Sequence, residues 1–122
     1  MSKNVERGVI FIKPDERFGF LHTEDVLSLD EMQELVGGPI ETVPVALSDR
    51  WTDERGVRPV MLVNEEGKLQ GLARNALATE LLRYDICDYV VGDVILAGIR
   101  GEEIVPLLRA ACEHIAERWL EE

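Results

Sequence analysis

Apolar and polar residues along the chain change period several times, and each change marks an element. Gly8–Lys13 (GVIFIK) and Phe18–Thr23 (FGFLHT) read as two strands of a hairpin, separated by the turn-forming Pro14-Asp15-Glu16-Arg17. From Ser28 the period becomes helical. Leu29, Met32, Leu35 and Val36 fall on one face, and Ser28 with Glu31 makes an S-x-x-E capping box. Gly37 stands where a left-handed residue ends such a helix, and Gly38-Pro39 turns the chain into a strand over Ile40–Leu47. Pro44 cannot donate to a sheet ladder, so this strand belongs at an edge or a bulge.

A polar stretch, Ser48–Gly56, carries Trp51 and leads to a strand over Val57–Asn64. Glu65-Glu66-Gly67-Lys68 reads as a hairpin connection with Gly67 at positive φ, and Leu69–Leu72 as its return strand. A helix is expected from Asn75, with Ala76, Leu77, Ala78, Leu81 and Leu82 as good helix formers. Tyr89–Gly98 (YVVGDVILAG) is β-branched and apolar, with a bulge or turn at Gly92-Asp93. The last period is helical again over Glu103–Leu120, where Ile104, Leu107, Leu108, Ala111, Cys112, Ile115 and Trp119 form one stripe. Pro106 fits that helix only in its first turn. The pattern predicts a single α+β domain over residues 1–122: a mainly antiparallel sheet with flanking helices in the order β-β-α-β-β-β-α-β-α. Residues 8–98 form the core, and 99–122 are expected to carry a C-terminal amphipathic helix.

Composition narrows what such a domain can do. The chain of 122 residues has 24 acidic against 13 basic side chains, a net charge of −11. That charge argues against direct binding to nucleic acid, which depends on neutralising phosphates, and against an anionic membrane surface. Two readings of the acids remain open: a solvated, self-repelling surface, or a surface for a basic partner, up to mimicry of DNA. No apolar run is long enough to span a bilayer and no signal peptide is visible. Cys87 and Cys112 lack metal-ligand spacing, which points to a reduced, cytoplasmic setting.

Chemistry-bearing motifs are few. No metal site, cofactor or catalytic residue is expected: two histidines, His22 and His114, and two distant cysteines do not make a metal or catalytic constellation. The glycine turns lack the spacing of a phosphate-cradling loop. What remains is the junction at Arg74-Asn75. Asn75 is first of all a helix cap. In a second reading, Arg74, Asn75, Thr79 and Asp93 together hold a polar or anionic ligand. Trp51 and Trp119 either fold back on the domain or are offered to a partner, Trp119 at a homodimer contact through the C-terminal helix.

Three blocks also carry a resemblance: Leu29–Val45 (LDEMQELVGGPIETVPV), Leu62–Leu82 (LVNEEGKLQGLARNALATELL) and Val90–Gly98 (VVGDVILAG), preceded by Ile12-Lys13-Pro14-Asp15. In order and spacing they resemble a small domain-of-unknown-function family of phages, prophages and plasmids. Asn64–Gly71, Leu72, Asn75, Ala78 and Thr79 match its N-E-E-G-K-L-x-G-L-x-x-N-x-x-A-T block. The chain departs from the family pattern at Pro39 and after Arg100. The resemblance implies a mobile-element accessory protein in a bacterial cytoplasm and no defined chemistry. Three functions stay open: a non-enzymatic module that binds a host protein or a small signalling ligand, an acidic DNA mimic that inhibits a host DNA-binding enzyme, and a small enzyme in which Asp93, Glu66 or Asp88 meets Arg74.

Overall fold

The computed structural model describes residues 6–23, 26–46, 56–82 and 88–120. Two long apolar runs of the sequence lie at the middle of its sheet. β1 (Arg7–Ile12) and β2 (Phe18–His22) form the expected hairpin, followed by α1 (Leu29–Val36) and β3 (Ile40–Val43). β4 (Arg58–Asn64), α2 (Ala76–Glu80) and β5 (Val94–Arg100) come next. β6 (Glu103–Val105), β7 (Leu107–Leu108) and α3 (Arg109–Ile115) close the chain, with a π-helical turn over Ala116–Leu120. The spatial order is β2-β1-β5-β4-β3, antiparallel at every pairing.

β4 and β5 are covered on both faces, which is why their sequences are apolar without interruption. Alternation divides their side chains between two cores. Val60 and Leu62 of β4, Ile95 and Ala97 of β5 and Val9 of β1 pack with Met32 and Val36 of α1. Met61 and Val63, Val94 and Leu96, and Ile10 and Ile12 face the other way, onto Ala78 of α2 and Cys112 and Ile115 of α3. The result is α1 on one face of the sheet and α2 with α3 on the other.

Local signals behave as the sequence predicts around α1. Ser28 Oγ accepts from the Glu31 amide at 3.1 Å, and Glu31 Oε1 accepts from the Ser28 amide at 3.0 Å. Gly37 ends the helix at φ +84°. β3 is an edge strand, and it stops just before Pro44. The chain makes one further antiparallel bridge there, Val45 to Leu82.

Two segments differ from the sequence reading. Residues 65–71 form consecutive turns, and Leu69–Leu72 is not a strand. Positive φ occurs at Gly71 (+71°), while Gly67 is needed for space: a Cβ there would lie 2.8 Å from Val91 Cγ2. The second difference is at the C-terminal end, where a helix from Glu103 is replaced by two short strands. β1 pairs with β5 only over Ile10–Ile12, and beyond it the two strands splay. β6 pairs with β5 and β7 with β1, so residues 103–108 fill the fork, and Pro106 marks the switch between partners. A helix could not satisfy the exposed backbone groups of both strands. Ala111, Cys112 and Ile115 are buried against the sheet, so this part of the stripe is spent within the chain.

Candidate functional site

At one end of the sheet, four chain segments meet around the 64–75 connection. Asn64, buried at the end of β4, organises it: its Oδ1 accepts from the Glu66 amide at 2.8 Å and its Nδ2 donates to Gln70 Oε1 at 3.3 Å. Gly38 lies directly against this amide, where a Cβ would stand 2.8 Å from both terminal atoms. The Glu65 amide donates to the Pro39 carbonyl at 2.7 Å, fixing the connection to the α1–β3 turn. Further backbone bonds, Gln70 to Glu66, Gly71 to Lys68 and Leu72 to Gly67, hold the turns themselves. The loop is exposed, yet its path is well determined.

Asn75 closes the other end. Its Oδ1 accepts from the Ala78 amide at 3.1 Å, as expected of a cap. Its Nδ2 also donates to the carbonyls of Ile12 (3.0 Å) and Gly92 (2.9 Å), and the residue is only 1% exposed. Thr79 Oγ1 donates to the Asn75 carbonyl at 2.7 Å and accepts from the Val90 amide at 3.1 Å. These polar atoms of both residues are therefore occupied within the fold, and α2 is a single short helix of 5 residues.

Among the described residues, none of the three recesses at this end is lined by more than one of the four residues of the expected ligand set. Asp93 pairs with Lys13 at 3.0 Å and lines a hollow of about 330 Å³ between the end of α1 and the start of β5. Arg74 lines a different recess of about 420 Å³ with Lys68, Gly71, Leu72, Tyr89 and Val91. Leu72 is the wall the two share. A third recess, of about 320 Å³, runs along β3 and includes Lys68, Asp88 and Tyr89.

Tyr89 and Lys68, which the sequence reading did not select, are the centre of this surface. Lys68 Nζ and Arg74 Cζ each stand 4.2 Å from the Tyr89 ring centroid. Asp88 Oδ1 accepts from Lys68 Nζ and, at 2.7 Å, from the Tyr89 amide, so it ties the lysine to the aromatic's backbone. Lys68 beside it holds the Asp88 carboxyl below the usual range, aided by that amide. Lys68 and Tyr89 are 21 positions apart, and no local pattern in the sequence connects them.

All of the sequence blocks singled out above contribute to this end of the molecule, and the match to a known family spans nearly the whole chain. A family model described as a domain of unknown function, DUF3846, covers residues 6–120. The chain belongs to the DUF3846 family. The DUF3846 match extends past Arg100 through β6, β7 and α3, so the C-terminal segment is part of the family domain. No curated protein and no solved structure matches the chain.

The remaining candidates are placed as follows. Trp51 and Cys87 lie outside the described residues, as does the side chain of Trp119 on the terminal π-helical turn. Cys112 is buried against the Gly8 carbonyl, and burial, with Glu113 nearby, pushes its thiol up to about 12. His22 lies 3.9 Å from Glu6. Among the described residues no group of three or more His, Cys, Asp or Glu is placed to hold a metal ion. No helix among them is long and apolar enough to cross a membrane.

Proposed function

We propose that this DUF3846 protein acts by binding a macromolecular partner, a host protein in the mobile-element setting its sequence resembles, through the face built on the 65–74 loop. The observation that carries the reading is Leu69. It is 89% exposed at the tip of a loop whose backbone is held by the hydrogen bonds described above. An apolar side chain so placed contributes nothing to its own core. A loop ordered before contact loses little further entropy on binding. Leu72 and Tyr89 extend the apolar surface, Arg74 and Tyr89 are residue types enriched at interfaces, and Lys68 adds to a polar rim.

The charge arrangement favours this reading over DNA mimicry. Among the described residues several surface acids are paired with bases: Glu6 and Glu113 with Arg109, Asp15 with Arg17, Asp93 with Lys13, Asp88 with Lys68. A DNA-like face requires a continuous row of unpaired acids.

A photo-crosslinking amino acid at position 69, compared with one at exposed Leu21 on β2, tests the proposal in host cells. A defined adduct from position 69 alone, lost when Arg74 and Tyr89 are both changed to Ala, is the expected result. Equal labelling from both positions, or none from 69, overturns it.

A further inference from the structure

Arg74 is anchored differently from the other cations at this end of the chain. Its backbone makes an antiparallel bridge to Val91, and the neighbouring Asn75 amide and Ala73 carbonyl bond to Val90 (2.9 Å) and Gly92 (2.8 Å). Its guanidinium lies against Tyr89, and no carboxylate of a described residue pairs with it. Lys13, Arg17 and Lys68, which stand at the same end of the sheet, each have an acidic partner. In a chain with 24 acids this is a local excess of positive charge, placed on a fixed backbone.

Lys68, itself paired with Asp88, stands near it. Both cations are 4.2 Å from the same ring centroid, so they stand within twice that distance of each other. Asp88 compensates only one of them. An oxyanion at Arg74 would offset the charge that no acid of the described residues pairs with, and the planar arginine fork can bind it through two parallel hydrogen bonds. The rest of the recess is shallow and open, formed by Gly71, Leu72, Val91 and the 37% exposed Tyr89. Its volume of about 420 Å³ is within the roughly 300–1,000 Å³ of small-molecule sites. Glu41 and Glu65 line the adjoining recess along β3 and oppose a ligand of high negative charge.

We propose that the recess formed by Leu72, Arg74, Tyr89, Val91 and Lys68 binds a small aryl-bearing oxyanion of low charge, a carboxylate or a phosphate monoester. Arg74 holds the anionic group, Lys68 adds a second cation nearby, and Leu72 offers the aromatic body an apolar contact. The site shares Leu72, Lys68, Arg74 and Tyr89 with the face proposed above, and its ligand is read without a macromolecular partner.

The test is a titration of the 15N-labelled full chain, following the amides of residues 67–74 and 88–92 and the arginine side-chain Nε–H signals. The probes are adenosine 5′-monophosphate, 4-hydroxybenzoate, adenosine and inorganic phosphate. At least one of the two aryl oxyanions saturates these signals, and which one does so identifies the anion. Adenosine and phosphate bind about tenfold or more weakly, the value of one lost charge-assisted contact. Arg74→Ala weakens the aryl oxyanion about tenfold, Arg74→Lys less, and Arg58→Ala, at the far end of β4, has no effect. No saturation by either aryl oxyanion, equal binding of phosphate alone, or unchanged affinity in Arg74→Ala overturns the proposal. The titration is read on the chain alone and the crosslink is read from a partner at position 69, so the two proposals fail separately.

Discussion

The side-chain amide of Asn75 donates to the main-chain carbonyl of Ile12, 63 positions away, while the same amide holds Gly92 and its oxygen caps α2. One buried residue thus joins the end of β1, the turn before β5 and the start of a helix. Asn75→Ala leaves two buried carbonyls and one amide without their partner, and is expected to cost about 2–4 kcal/mol. Asn75→Asp retains the cap acceptor but replaces the donor to both carbonyls with a buried negative charge, and should cost as much or more. Urea unfolding of both variants checks this; a loss below about 1 kcal/mol in each would show that the carbonyls find other partners.

Gly38 and Asn64 are in contact through space that only a hydrogen can occupy. Gly38→Ala should destabilise by about 1–3 kcal/mol through overpacking. Combining it with Asn64→Ala removes the obstruction, so the double variant should lose less than the two single losses together, by about 1 kcal/mol. Strict additivity in chemical denaturation would contradict the contact.

Glu16 is the one non-glycine residue at positive φ (+74°) among the described residues, in the β1–β2 turn where its amide donates to the Lys13 carbonyl at 2.9 Å. Replacing it with glycine relieves the left-handed strain, at the expense of greater freedom in the unfolded chain. A net gain of up to about 1 kcal/mol is expected, read as a higher Tm. A clear loss of stability would mean that the Glu16 side chain contributes more than its backbone strain costs.

Cys112 gives the pH prediction. Its thiol holds its proton up to about 12 in the fold, against 9.0 as the ordinary value. Between these values the unfolded chain loses the proton and the folded chain keeps it. The contribution is therefore fully present below pH 9 and declines as pH rises from 9 toward 12. In a Cys87→Ser background, Cys112 should resist iodoacetamide at pH 8 until the protein unfolds, and Cys112→Ala should flatten the alkaline decline. Fast alkylation of the native variant would place the thiol in solvent.

The crosslinking and titration outcomes given with the two proposals complete these predictions, since they address the exposed loop rather than its supports. The distinction matters because Asn64 and Asn75 belong to the same sequence block as Lys68 and Arg74. The two asparagines are internal to the fold, and the two cations are at the surface.

By itself the sequence determined what depends on neighbours a few positions apart. Ser28 and Glu31 are one helical turn apart, Gly37 is alone able to take the left-handed exit cheaply, and alternation within β1, β4 and β5 assigns each side chain to a face whatever lies opposite. The cap at Asn75 was legible for the same reason. Its two carbonyl targets were not, because any exposed strand end presents carbonyls and no spacing names the one that arrives. Tertiary structure decided the rest. The splaying of β1 from β5 left a fork that residues 103–108 fill as strands, although their apolar spacing also suits a helix. The fold of the 64–75 loop set Lys68 and Arg74 on a tyrosine from another segment, because only there do its hydrogen bonds to Asn64, Pro39 and Val90 close together.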